Sequence, residues 1–143
     1  MNRSKVYNKE LHNLKINNKG LVRYGLSLKK DYYFTYAIVE EIERIWVKGR
    51  DMPYHKKIRN LPIEFTIDFD FKVDFDFNTR YKKLEMFLEN SKEEILTFNN
   101  ETTGFKIYTV RIENIVRGIG QDKVTIHFMC YPEIYNVDGT IFE

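Results

Sequence analysis

Residues Pro62–Asn78 read PIEFTIDFDFKVDFDFN. From Ile63 to Phe77 every odd position is apolar: Ile63, Phe65, Ile67, Phe69, Phe71, Val73, Phe75 and Phe77. Every even position from Glu64 to Asp76 is polar or charged. Successive side chains of a strand point to opposite faces, so this alternation predicts a strand with one dry and one wet face. Strands average about 5–6 residues, so an interruption is expected near Lys72–Asp74. The wet face carries Asp68, Asp70, Asp74 and Asp76. Metal binding would need their oxygens to converge on one point. A calcium loop counted from Asp68 would need glycine at its sixth position and glutamate at its twelfth, where Val73 and Thr79 stand. Asp68 and Asp70 share a face roughly 6–7 Å apart. They read as the solvated face of a strand, where they also discourage edge-to-edge aggregation.

Downstream the period changes. Tyr81, Leu84, Phe87 and Leu88 mark one face of a helix over Asn78–Asn90, with Asn78 as its N-cap. Glu94–Phe98 reads as a strand and Asn99–Gly104 as a turn. Phe105–Val116 alternates as a strand, Gly118–Asp122 turns, and Lys123–Tyr131 is a further strand ended by Pro132. Asp138-Gly139 signals a last turn. Upstream, Met1–Lys9 is polar and reads as part of a loose arm over residues 1–10. Leu11–Ile16 and Leu21–Leu28 flank Asn17-Asn18-Lys19-Gly20 and predict a hairpin. Tyr32–Tyr36 is extended in character. Ala37–Val47 allows two readings: Ile38, Val39, Ile42, Ile45 and Trp46 fall at helical spacing, slightly preferred by periodicity, yet a strand with both faces partly buried also fits. Lys48–Asn60 (KGRDMPYHKKIRN) reads as a turn and an exposed basic loop, longer than most connections. The sum is a mainly β domain, sandwich- or barrel-like, of seven or eight strands with one α-helix, occupying residues 1–143 as one domain.

A chain of 143 residues with 43% apolar and 31% charged residues has a globular composition. The net charge of +2 is not that of a strongly basic nucleic-acid binder. Cys130 is the sole cysteine, so no intrachain disulfide forms, which suits an intracellular or virion setting. The start MNRSKVYNKELHN shows no signal peptide, and no apolar run is long enough to span a membrane.

No catalytic, cofactor-binding or metal-binding residues emerge. His12, His55 and His127 are scattered, and His127 and Cys130 would point to opposite faces of one strand. Cys130 reads as a core residue. Gly118-x-Gly120 lacks the rest of a dinucleotide fingerprint. The surface that stands out is the basic segment carrying Lys48, Arg50, Tyr54, Lys56, Lys57 and Arg59. It could simply be solvated, it could meet an acidic neighbouring subunit, or, as the alternative function, it could contact phosphates as a small β-barrel nucleic-acid-binding module through Tyr54, Lys56, Lys57 and Arg59. An enzyme is the third class, and no constellation supports it.

Several landmarks, in order, resemble the N-terminal domain of the siphophage distal tail protein (Dit) family. They are LHNLKINNKGLVRYGLSL, IERIWVKGRD, LPIEFTIDFDF, NTRYKKLEMFL, EEILTFNNETTGFKIYTVRIENI and VTIHFMCYP, together spanning roughly Leu11–Pro132. Met52 departs from the family's Gly-Arg-Asp-Gly turn. The resemblance implies that Glu41–Val47 is a strand. It also implies a structural virion protein with no cofactor, assembled in the host cytoplasm as a homo-oligomeric, hexameric ring at the distal tail end or baseplate. Its partners would be further copies of itself, the tail tube protein and a tail hub or tail-associated protein. DNA would meet it only in passage through the lumen, and no membrane would be involved.

Overall fold

The computed structural model describes residues 14–28, 39–72, 76–98, 101–119 and 122–143. The expected arm, Tyr32–Tyr36, Val73–Phe75, Asn99-Asn100 and Gly120-Gln121 lie outside the described residues.

The chain is mainly β, with nine strands among the described residues and one α-helix. The opening stretch forms β6, Ile63–Phe71, whose residues alternate between buried and more exposed along its length. Alternation decides its place: Ile63, Phe65, Ile67, Phe69 and Phe71 are buried in the core. The strand stops at Phe71, as the length argument expects, and Lys72 is non-strand, its N–H donating to the Gly25 carbonyl at 2.8 Å.

β6 belongs to a seven-stranded antiparallel sheet in the order β2-β1-β7-β8-β9-β6-β3. Its other members are β1 (Leu14–Ile16), β2 (Lys19–Gly20), β3 (Leu26–Leu28), β7 (Ile95–Phe98), β8 (Thr103–Val116) and β9 (Asp122–Asn136). The long strands β8 and β9 form its spine, and β6 pairs with β9 in continuous register from Ile63↔Cys130 to Phe71↔Asp122. The register sets Phe65 against Phe128 and Ile67 against Ile126, so the inner faces of β6 and β9 make one apolar layer. Helix α1, Phe77–Glu89, closes over the core with Leu84 and Leu88 buried, and Phe87 stacks on Tyr24 at a centroid distance of 4.1 Å. The fold is a β-sandwich-like domain, as the alternation predicts.

The structure corrects five local expectations. First, the expected hairpin is tighter. Asn17 and Asn18 both have positive φ (53° and 63°), as a two-residue turn of the I′ kind requires. The return strand β2 has only two residues. Leu21–Tyr24 then forms a 3-10 turn closed by Gly25 at φ 88°, and Leu26–Leu28 crosses to pair with β6 at the opposite edge of the sheet. Second, the helix N-cap is Asp76, not Asn78. The Asp76 carboxylate accepts from Thr79 N–H (3.1 Å) and Thr79 Oγ1–H (2.6 Å). These bonds favour the charged form and hold its pKa below the usual aspartate value. A carboxyl with a depressed folded pKa adds stability above its unfolded pKa and loses it as pH falls through the folded one. Asp76→Ala is therefore expected to lower Tm by a few degrees at pH 7, with the difference from wild type shrinking towards pH 3 in thermal melts.

Third, Pro132 does not end β9, which runs to Asn136. Pairing with β6 begins at Cys130, so beyond it no β6 acceptor waits for a proline N–H. On the other side the register with β8 jumps from Ile107↔Cys130 to Phe105↔Ile134, leaving Pro132 in a bulge. Fourth, the expected turn Asn99–Gly104 is shorter, because Thr103 and Gly104 already belong to β8, facing Asn136 and Tyr135. Fifth, the expected loop Lys48–Asn60 contains β5, considered below. Of the expected Gly118–Asp122 turn, Gly120-Gln121 lie outside the described residues and Asp122 is already strand, while the Asp138-Gly139 turn stands where expected. Asp122 opens β9 and turns its carboxylate back to Gly118 N–H (2.9 Å) and Arg117 Nε (2.9 Å). Near the end, Gly139 N–H donates to Asn136 O (2.9 Å) and Asn136 N–H to Thr140 O (2.7 Å).

Cys130 is fully buried in this core, and burial pushes its thiol up to about 12. The reactive thiolate is thus suppressed. Folded protein at pH 8 is expected to resist iodoacetamide, and unfolded protein to take up one equivalent, as read by intact mass.

Candidate interaction surface

β4 (Glu40–Ile45) and β5 (Tyr54–Asn60) form a two-stranded antiparallel sheet separate from the main one. The helical reading fails over the described residues 39–47, and the strand that the resemblance implies for Glu41–Val47 forms but ends at Ile45, short of Trp46 and Val47; residues 37 and 38 lie outside the described residues. β5 escapes a pattern-based reading because both of its faces are wet. Six of its seven residues are exposed, so no apolar alternation marks it. β4 differs from expectation in the same way: its faces are not partly buried but mostly exposed. A bulge between Glu41 and Ile42 shifts the register, so Glu41 faces Arg59 while Ile42 faces Lys57. The Leu61 N–H donates to Val39 O (2.7 Å) and closes the base of the hairpin just before β6.

All six singled-out residues lie on this hairpin, brought together by it rather than by a loop. Lys48 and Arg50 are at its turn, and Tyr54, Lys56, Lys57 and Arg59 are on β5. The Arg50 guanidinium lies 3.6 Å from the Tyr54 ring centroid. Arg59 pairs with Glu41 (2.7 Å) and Lys57 with Glu40 (3.4 Å). Exposed pairs of this kind contribute at most about 1 kcal/mol each, so they favour the hairpin's register more than its stability. They also answer two of the cations that phosphate binding would use.

Of the apolar half of this surface, sequence reasoning singled out only Tyr54. Val39, Ile42, Ile45, Trp46, Val47, Met52, Tyr54 and Ile58 are all exposed, Trp46 to 66%. So many large apolar side chains left exposed on one element mark an interaction site. The available signal was the aromatic and β-branched content of IERIWV, which the core reading of that segment absorbed.

Of the four aspartates, two have local hydrogen-bond partners. Asp68 accepts a hydrogen bond from Thr125 Oγ1 (2.6 Å) on the outer sheet face. Asp76 caps α1, and Asp74 lies outside the described residues. Among the described residues no group of three or more His, Cys, Asp or Glu is placed to hold a metal ion. His127 and Cys130 do face opposite ways: Cys130 is buried, while His127 meets Glu64 Oε1 (3.3 Å) and Arg111 (3.2 Å) on the outer face. At the far end of that face the Tyr131 hydroxyl donates to both Glu93 carboxylate oxygens (2.8 Å), which pushes the phenol up to about 12. Among the described residues no helix is long and apolar enough to cross a membrane.

The arrangement thus defines a β-sandwich-like domain with a projecting, amphipathic β-hairpin. Among solved structures this fold is similar to the Dit protein (gp 19.1) of SPP1, described as a paradigm of the hub adsorption apparatus in phages infecting Gram-positive hosts. The TM-score is 0.62 at 21% identity, over 87% of this chain and 51% of that one. This chain therefore spans about half the length of that protein. No protein-family profile and no curated protein sequence matches the chain.

Proposed function

We propose that this chain is a structural protein of a phage tail. It forms a ring, of six copies on the family resemblance, at the distal end of the tail. There it joins the tail tube to the hub or baseplate, and its contacts are with further copies, the tube protein and a hub protein. The observation that carries this reading is the likeness of the fold to the Dit protein of SPP1 over 87% of the chain. The exposed hairpin agrees with it, because a closed ring needs a heterologous contact in which one patch of each copy meets a different patch of the next. Its side chains mix aromatic, aliphatic and arginine residues, the composition enriched at protein interfaces.

The test is assembly. Purified protein is expected to elute as a multimer in size-exclusion chromatography with light scattering, and to show rings with a central hole in negative stain. Deleting Trp46–Pro53 from the hairpin tip is expected to leave a folded monomer. A wild-type protein that stays monomeric and instead binds oligonucleotides tightly, with affinity falling steeply with salt, would replace this reading with the nucleic-acid one.

A further inference from the structure

Three neighbouring strands meet in one polar row on the outer face of the main sheet. The register sets Thr66 of β6 and Arg111 of β8 on either side of His127 of β9. Glu64 stands two residues along β6 from Thr66 and so shares its face. The His127 ring lies between two charged side chains, one at each nitrogen. Its Nε2 is 3.3 Å from Glu64 Oε1, and its Nδ1 is 3.2 Å from Arg111 Nη1. The imidazole is 14% exposed, against 52% for Glu64 and 62% for Arg111. The ring is thus shielded by partners that themselves keep contact with water.

Donor chemistry decides the protonation state of this arrangement. A guanidinium carries N–H donors and no acceptor, so Nδ1 can meet Arg111 only with a lone pair. An imidazole with a bare Nδ1 is neutral and carries its proton on Nε2, and Nε2–H then donates to Glu64. The imidazolium cannot keep both contacts. It has an N–H at each nitrogen, and one of them would face the guanidinium, cation against cation. Its bond to Glu64 becomes charge-assisted and stronger. Arg111 has a second partner at hand, because its Nη2 lies 3.6 Å from Glu113 Oε1. Among the described residues the charged groups around the ring are Glu64 and Asp68 on β6 and Arg111 and Glu113 on β8. Asp68 is engaged by Thr125 Oγ1–H (2.6 Å), and the directly opposite Thr66 is uncharged.

We infer that His127 is a pH-sensitive latch across the outer face. Neutral, it joins β6 to β8 through its two nitrogens. Protonated at Nδ1 by solvent, it keeps Glu64, releases Arg111 and leaves the guanidinium to Glu113. Histidine is the side chain whose charge ordinarily changes between about pH 5 and 8, so the switch needs no unfolding. The face gains one positive charge and loses one side-chain bridge, while the backbone ladder between β8 and β9 stays in register. The latch works within one copy, independent of any assembly.

Nitrogen-15 NMR of the whole chain tests it across about pH 8 to 5, the range in which a histidine changes charge. At the alkaline end the ring shifts of His127 are expected to be those of the Nε2–H tautomer, and at the acid end those of the imidazolium. The side-chain Nε–H signal of Arg111 is expected to move along the same curve as the ring. His127→Gln is the decisive variant. Its amide oxygen can accept from Arg111 and its amide N–H can donate to Glu64, so the bridge is kept but cannot titrate. In that variant the Arg111 signal is expected to hold still over the same range. An Nδ1–H tautomer at the alkaline end overturns the latch, because Arg111 would then face a donor. An Arg111 signal indifferent to the ring's titration, or one that moves equally in His127→Gln, overturns it as well. Should His127→Gln fail to fold, the wild-type tautomer and the wild-type Arg111 curve decide between the same two outcomes.

Discussion

Phe128→Ala is expected to destabilise the protein by about 4 kcal/mol, a large share of the roughly 5–15 kcal/mol that holds a domain of this kind together. Phe128 sits in the middle of β9, fully buried, between Phe65 on β6 and Val110 on β8. Its ring lies 5.4 Å from that of Phe65, which in turn meets Phe105 at 5.5 Å. Removing the ring deletes the transfer free energy of a large side chain and leaves a cavity. Flanking strands hydrogen-bonded on both sides of β9 cannot close it by moving together. Urea denaturation should show a lower midpoint with an unchanged slope. A loss below about 1.5 kcal/mol would mean that the aromatic cluster collapses into the space, contrary to the rigid sheet described above.

Gly104→Ala is expected to cost about 3 kcal/mol and to lower Tm by about 10 °C. Gly104 lies early in β8, opposite Tyr135, where β8 also runs beside β7. A Cβ at this position would be driven into the Leu96 carbonyl oxygen, with the Leu96 carbonyl carbon and the Thr97 Cγ2 each 2.9 Å away. These are mostly backbone atoms of a paired strand, so relief requires β7 to move away and weaken its bonds to β8. Gly20→Ala is the control. A Cβ there meets nothing within 4 Å, and its backbone is extended at φ −68°. That substitution should change stability by less than about 0.5 kcal/mol. Equal effects at the two sites would show that β7 and β8 are not packed as closely as described.

The two substitutions show how differently the fold is written in the sequence. The role of Phe128 is legible in VTIHFMCY, because period-2 alternation assigns it to the dry face without knowledge of its neighbours. The requirement at Gly104 is not legible. In NNETTGF the glycine reads as a turn residue, and only the approach of β7 reveals why no side chain fits. Pro132 makes the same point: a proline ends a strand unless a bulge and the end of a ladder leave its missing N–H unneeded, and both are set by partners distant in sequence. The candidate surface divides likewise. Its cations were visible as a charge run, but their support on a strand was not, because a strand exposed on both faces carries no periodic signal.

The sequence by itself determined the elements with one dry face: β6, α1, β8 and most of β9. For these, burial imposes a period that local pattern records. Tertiary structure alone decided that Leu26–Leu28 crosses to the far edge beside β6, that Asp76 rather than Asn78 caps the helix, and that Ile42 and Trp46 stand in solvent rather than in the core. Each of these depends on which partner satisfies a hydrogen bond or covers an apolar side chain, and partners are assigned only when the chain has folded.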